Sequence, residues 1–411
     1  MDCDVLVAGG GSAGLAAAVA SARLGARTLL LERHGLLGGM ASAALVHSIC
    51  GLYRLGDDSQ PPVLANGGFA AEFAHRLLAS GGATGPVRMG RVEVLLQRPP
   101  AFAELADAFV RETPGLELRL HTEIVTATAD RVALNCRGNT EQVTARVFVD
   151  ATGDGALAAL RGARCEVADG GRLQRPAFIF ALGGVAEGAV DDEARLRLAR
   201  RITQAIKAAR LPGATLGAHL RGSGQEGEAY VTIDLPGGPG FDPLDPSCLT
   251  RLELEGRGLA VRLAQFLRAE VDGFQASYVA AWPSRVGVRE SRRIVGHYRL
   301  EAKDLDQGVQ FPDQVAFAAW PMELRETAAG PRLRFPISAR PGGIPLRSLQ
   351  AKDDAALFMA GRCISCSHEA QASIRVIGTC LATGEAAGIA AALTALQGNC
   401  NADAVREKIA S

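Results

Sequence analysis

The chain has few aromatic residues, 5% of its 411 positions, and no excess of charge of either sign, with 44 basic against 44 acidic side chains. A neutral balance excludes bulk attraction to nucleic acid or to an anionic membrane surface. A run of eighteen apolar residues is also missing. The nearest approaches, around 13–30 and 381–396, are broken by charge or glycine, so no membrane span is expected. Nine cysteines are scattered without the short spacing of a disulfide framework, which predicts reduced thiols and a cytoplasmic protein. No basic segment precedes an apolar run at the start, so no export signal is expected. What is plentiful is apolar residue, 48%, and glycine, 48 residues. The first supports a large core. The second implies many tight turns or close backbone approaches to a ligand.

The first forty residues concentrate these glycines. Asp4 to Ala8 reads as a buried parallel strand, Gly9-Gly10-Gly11-Ser12-Ala13-Gly14 as a turn, and Leu15 to Leu24 as a helix stopped by Gly25. Ala26 to Glu32 reads as a second strand. This is a βαβ unit with a G-x-G-x-x-G turn and a terminal acid. Gly9 permits the tight turn, Gly11 leaves room for a pyrophosphate, and Gly14 lets the helix lie against the sheet. The helix N-terminus offers free N–H groups and the positive end of its dipole to phosphates. Glu32 is placed to accept from ribose hydroxyls, and an acid there disfavours a 2′-phosphate. Dinucleotide binding is the expectation.

Further along come Gly38-Gly39-Met40-Ala41, then an apolar strand ending in Ala151-Thr152-Gly153-Asp154. The segments Glu123 to Ala129 and Val132 to Cys136 precede that strand as a β-meander. Near the far end, Leu357 to Met359 runs into Gly361-Arg362, and Gly378 to Gly388 opens a helix of small residues. Together with Val288-Arg289-Glu290-Ser291-Arg292-Arg293-Ile294-Val295-Gly296, these segments resemble the bacterial FAD-dependent oxidoreductases. That group belongs to the glutathione-reductase-like superfamily, near the fumarate reductase and succinate dehydrogenase flavoproteins. The resemblance covers nearly the whole chain.

It implies FAD, oxidoreductase chemistry on a small molecule, and an α/β fold: a Rossmann-type FAD domain with a parallel sheet and β-meander, plus an α+β substrate lobe. The FAD domain is expected to be discontinuous, over 1–55, 100–165 and 346–411, with 56–99 and 166–345 forming the cap. In that cap, strands are predicted at 177–182 and 230–235, and helices at 191–209 and 246–269. Loops are predicted at 236–240 and 341–343.

The expected cofactor residues are Gly9, Gly11, Ser12, Ala13, Gly14, Glu32 and Arg33, then Gly39, Met40 and Ala41. Ile124 or Val125 is expected at the adenine, with Ala151, Thr152 and Gly153 following. Gly361, Arg362, Gly378 and Thr379 complete the set, the last two at a helix end aimed at the flavin. No metal is expected.

For the chemistry, a strand over 289–293 puts Arg289, Ser291 and Arg293 on one face and Glu290 and Arg292 on the other. Such a face either grips an anionic substrate through forked guanidinium contacts or ties two lobes together. His368 is a candidate acid or base near neutral pH, with Arg375 beside it. Each stands against a purely structural role. His47 is a minor candidate for covalent flavin attachment. Cys363 and Cys366 form a C-x-x-C that is either a redox pair or buried packing. The electron acceptor stays open among oxygen, a quinone, a nicotinamide and a protein. Two other readings remain: an FAD-binding electron-relay subunit and an FAD-dependent tRNA-modifying enzyme.

Overall fold

A computed structural model describes residues 2–56, 61–168, 172–237, 240–327 and 330–411. Strand β1 (Asp2–Ala8) leads through a glycine turn into helix α1 (Ser12–Arg23), which returns to strand β2 (Thr28–Leu31). β1 and β2 pair in parallel, Val5 opposite Thr28. These strands are buried on both faces, which is why they read as unbroken apolar runs. β2 also pairs in parallel with the strand Leu116–Arg119.

On its other side β1 pairs in parallel with the long strand Asn139–Asp150, Ala8 opposite Asp150. The first half of that long strand pairs antiparallel with Arg131–Cys136, which pairs antiparallel with Glu123–Ala127. Its second half pairs in parallel with Leu357–Met359. The parallel strands therefore end along one edge, at Ala8, Leu31, Asp150 and Met359. In α/β sheets ligands bind above such an edge.

The helix Ile377–Gln397 packs along α1 at very short range. A Cβ on Gly384 would stand 2.1 Å from the carbonyl oxygen of Ala13, and one on Gly388 2.1 Å from that of Ala17. Two glycines four residues apart share one helical face, so this stripe is a packing device. This helix is long and apolar enough to cross a membrane, but its residues lie inside the fold.

A second core is built on a four-stranded antiparallel sheet, in the order His219–Gly222, Glu228–Asp234, Ala177–Gly183, Tyr278–Ala281. The helices Asp192–Lys207 and Pro246–Glu270 cover it. The strands and helices predicted for this stretch are present with small shifts of boundary. The loop predicted at 236–240 includes residues 238 and 239, which lie outside the described residues. The loop predicted at 341–343 is different: Gly342 and Gly343 belong to a strand, Gly342–Pro345, paired with Gln314–Ala318. The side chain of Gln314 crosses so closely that a Cβ on Gly343 would meet it at 1.9 Å. The glycines serve strand packing there, not a turn.

Between the two cores lies a small apolar cluster, Leu45 with Ala177, Ile179, Ala181 and Tyr230. The segment around Phe69 and Phe73 packs into the first core, although the sequence reading placed 56–99 in the cap.

Candidate functional site

Above the shared strand edge runs a cleft partly open to solvent. Its floor is the glycine turn. Gly9 adopts φ +97°, and a Cβ there would strike the carbonyl of Ala151 at 2.6 Å, so glycine is required. Gly14 is needed for packing: its Cβ would fall 1.7 Å from the oxygen of Gly9. Gly11 differs, because a Cβ on it would meet only the Cα of Gly39, at 3.9 Å. Open space thus lies in front of bare backbone at the start of α1, and no side chain caps that helix. A helix start left uncapped beside an open cleft suits a diphosphate.

Glu32 is buried at the cleft wall. Its carboxylate accepts from the amide of Gly10 at 2.8 Å and from that of His34 at 2.9 Å. The acid therefore braces the glycine turn itself. A carboxylate has lone pairs beyond two bonds, so it can still accept from a sugar hydroxyl.

Opposite stands a second anchored group. Arg362 donates to Asp154 at 2.8 Å and to Ser291 at 3.3 Å, and Ser291 donates to Asp154 at 2.7 Å. Burial raises the Asp154 pKa, but the Arg362 and Ser291 contacts outweigh it and hold the carboxyl below its usual range. Asp150 accepts from the amides of Thr152 and Ala158 and from the Thr152 hydroxyl. Those bonds fix the Ala-Thr-Gly-Asp turn at the cleft.

Of the sequence-predicted cofactor residues, Gly9, Gly11, Ser12, Ala13, Glu32, Arg33, Gly39, Met40, Ala151, Thr152, Gly153, Gly361 and Arg362 line this cleft. Gly14 and Ala41 lie beneath it in the packing. Val125 does not reach it. The pairing of its strand slips between Ile124 and Thr126, and the bulge turns Val125 outward, 42% exposed. Thr122, Glu123 and Ile124 line the cleft instead. Gly378 and Thr379 also point elsewhere: the amide of Gly378 is bonded to the carbonyl of Cys50, and a Cβ on it would meet Gly51. The same helix end reaches the cleft through Ile377 and Cys380.

The catalytic candidates separate more sharply. Arg375 lines the cleft, and its Nε has no partner. His368 lies away from it, buried between two carboxylates, with Nδ1 2.8 Å from Glu290 and Nε2 3.0 Å from Glu326. Burial lowers its pKa, but those carboxylates raise it further, so the net shift is upward. Arg289 donates to Asp234 at 2.7 Å and to the carbonyl of Arg175 at 2.5 Å. Arg292 does not line the cleft either.

The segment 289–292 is not a strand; only Arg293–Ile294 is. The predicted alternation of faces fails accordingly, and Glu290 and Arg293 pair with each other. This segment ties the lobes together: Gln174 and His368 both meet Glu290. His47 stacks on Tyr230 with centroids 4.8 Å apart, and burial pushes its pKa down to about 3. Cys363 and Cys366 are free and buried, and burial pushes both thiols up, that of Cys366 to about 12. That environment suits packing, not redox exchange.

Arg285 is a cleft residue that the sequence reading missed. It arrives from the far lobe and lies near Gly39, with Nε unpartnered. No local pattern marks it in the sequence. Ile124 was closer to hand as the alternative to Val125. Among the described residues no group of acidic, histidine and cysteine side chains could hold a metal.

Comparison with known proteins agrees with this geometry. The family model described as FAD dependent oxidoreductase matches residues 4–410. No curated protein matches. Among solved structures, BexE, a protein of oxidation during BE-7585A biosynthesis, is 14% identical with a TM-score of 0.50. That likeness covers 100% of this chain and 66% of BexE. The p-nitrophenol 4-monooxygenase PnpA from Pseudomonas putida DLL-E4 is 11% identical with a TM-score of 0.50, covering 100% of this chain and 84% of PnpA. A geranylgeranyl bacteriochlorophyll reductase-like protein from Thermoplasma acidophilum is 12% identical with a TM-score of 0.45, covering 97% and 78%. At such identities the likeness concerns the fold. The family match spans almost the entire chain: the chain belongs to the FAD-dependent oxidoreductase family, and it is an enzyme that binds FAD.

Proposed function

We propose that this enzyme moves a hydride between its flavin and a small organic molecule held where the second lobe meets the cleft. The observation that carries the reading is the composition of the cleft from end to end. One end is a glycine turn and an acid suited to a diphosphate and sugar; the other is Arg375, Ile377 and Cys380. The isoalloxazine, when bound, supplies two-electron chemistry at N5. The chain's own part is to hold it. The amides around Gly11, Ser12 and Ala13 take the diphosphate, Arg33, Arg285 and Arg362 offset its charge, and Ile124 flanks the adenine end.

In this reading the fold is Rossmann-type, with the FAD domain made from 1–55, 100–165 and 346–411 together with the helix Gly68–Ala79, which packs into its core, and the cap mainly from 166–345. The finer placement beside the fumarate reductase and succinate dehydrogenase flavoproteins rests on the resemblance carried by 38–41, 288–296 and 361–388 together. All nine cysteines are free, which supports a reducing, cytoplasmic setting.

The test is an anaerobic screen of metabolites against the FAD-loaded enzyme, following the flavin band at about 450 nm. A compound that bleaches it, with recovery on adding an acceptor, supports the reading. A protein that no small molecule or nicotinamide reduces would instead favour the relay subunit. PnpA is named a monooxygenase, so the product is also analysed under labelled oxygen. Incorporated label would replace hydride transfer with hydroxylation.

A further inference from the structure

Around Asp234, at the end of a strand of the second sheet, positive charge is buried in excess. Arg289 and Arg325 share Asp234, at 2.7 and 2.5 Å, and Arg325 also binds Glu323 at 2.6 Å. Both acids stay ionised. Burial raises their pKa values, but the surrounding arginines prevail, and Glu323 is held at about 2. Burial pulls Arg289 down to about 10, still charged at neutral pH. The two acids are thus consumed by two arginines.

Three more guanidinium groups stand beside them with no carboxylate partner among the described residues. Arg175 spends its donors on the carbonyls of Asp234 and Leu235. Arg221 donates to the thioether of Met89, a weak acceptor. The acid Asp192 that acts on it is exposed and paired with Arg195. Arg375 donates once, to the carbonyl of Glu323 at 3.1 Å, and its buried Nε has no partner. The acids whose charge acts on Arg375, Glu323 first and Glu290 after it, are bonded to other groups, Glu323 to Arg325 and Glu290 to Arg293 and His368.

The two histidines here add no charge. Burial holds His47 at about 3 and His219 at about 4. The Nε2 of His47 and the Oγ1 of Thr379 are likewise buried without partners. Met89, which Arg221 contacts, packs on one apolar cluster with Cys50 and with Val376, the residue after Arg375, which brings the two arginines to the same region. Buried charge without a partner is strongly unfavourable, so an arrangement of this kind implies an anion that completes it.

We propose that this cluster is a carboxylate-binding subsite, and that the substrate is a small organic acid whose anionic end is held by Arg375, with Arg221 behind it. The assignment rests on the flavin reading above and names the class of molecule that reading leaves open. A guanidinium with a free edge is the group best matched to a carboxylate.

The test uses the full-length, FAD-loaded protein. Benzoate and succinate are titrated against their neutral amides, benzamide and succinamide. Two signals are followed, the shift of the visible flavin spectrum and the thermal midpoint. At least one carboxylate is expected to move both signals, and its amide to need at least about tenfold more to do so. R375M and R221M are each expected to weaken the carboxylate at least about tenfold, while R375K retains part of the affinity and R221M, which lies outside the cleft lining, keeps normal FAD content. The proposal is overturned if amide and carboxylate bind alike, if neither acid binds at millimolar concentration, or if R221M and R375K bind the acid as the parent does. Those two variants decide the matter should R375M not fold. If the protein holds no FAD, the flavin reading fails, yet the thermal signal still reports on the subsite. If FAD is held and no carboxylate is distinguished, only the subsite falls.

Discussion

Arg362 and Asp154 meet at 2.8 Å across the cleft floor, one at the start of the C-terminal block and the other at the end of the Ala-Thr-Gly-Asp turn. The pair closes a circle with Ser291 from the inter-lobe segment. It therefore joins three stretches of chain at the cleft proposed for the cofactor. Removing one partner leaves a largely buried charge on the other. We expect R362M to lose about 3 kcal/mol of stability and to bind FAD at least about tenfold more weakly. Chemical denaturation and a flavin fluorescence titration check this. Unchanged FAD affinity would remove Arg362 from the site.

Gly11 and Gly14 separate binding from folding. A methyl at Gly11 meets nothing nearer than 3.9 Å, whereas one at Gly14 would sit 1.7 Å from the oxygen of Gly9. We expect G11A to keep the thermal midpoint of the cofactor-free protein and to lose FAD affinity. G14A should lose about 1–3 kcal/mol or more through overpacking. Equal loss of stability in both variants would show that the turn is packing alone.

The N-terminal unit was legible because all its parts are neighbours in sequence. Strand, turn, helix and acid lie within one short stretch, and spacing alone places each. Residues brought in from afar were not. Arg285 follows Trp-Pro-Ser in a region with no periodic signal, and only the path of the second lobe carries it to the cleft. Val125 was misplaced because one β-bulge inverts which side chain faces the ligand. His368 sat at the expected point in the chain, but its partners Glu290 and Glu326 come from distant segments. The sequence could not reveal that the ring is already occupied.

That sandwich makes His368 a stability element whose pH dependence has a definite sign. The folded pKa is raised, with Glu290 and Glu326 overcoming burial. Its contribution is fully present below the unfolded histidine value and is lost as pH rises through the folded value. We expect the parent to be more stable relative to H368Q at mildly acidic pH, with the gap narrowing as pH rises. Urea midpoints across that range measure it. A gap that widens with pH would refute the ion-pair assignment.

Glu385 behaves in the related way for an acid. It lies inside the fold on the helix Ile377–Gln397 and accepts the amide of Phe69 at 2.9 Å. Burial pushes its pKa up to about 7, against a smaller lowering by that bond. A raised carboxyl stabilises the fold while protonated, so stability falls as pH climbs from its unfolded value of 4.5 toward 7. The loss amounts to about 3 kcal/mol. E385Q should remove this slope while keeping the carbonyl acceptor for Phe69. A slope unchanged in E385Q would assign it to other groups.

Arg285 offers the sharpest separation of apo and holo states. Its guanidinium is buried in the cleft, its Nε is unpartnered, and its pKa is lowered by burial. Arg33 and Arg362 repel it, while Glu32 and Asp154 attract it only in part. Without cofactor, this cation costs stability; with a diphosphate in place, it gains the partner it lacks. We expect R285M to raise the thermal midpoint of the cofactor-free protein and to weaken FAD binding at least about tenfold. The salt dependence of FAD affinity should become shallower in the same variant, because one charge contact is gone. Differential scanning fluorimetry of the stripped protein and FAD titrations at two ionic strengths measure both effects. If R285M destabilises the stripped protein and leaves FAD affinity intact, Arg285 is a structural tie between the lobes and has no share in the cofactor.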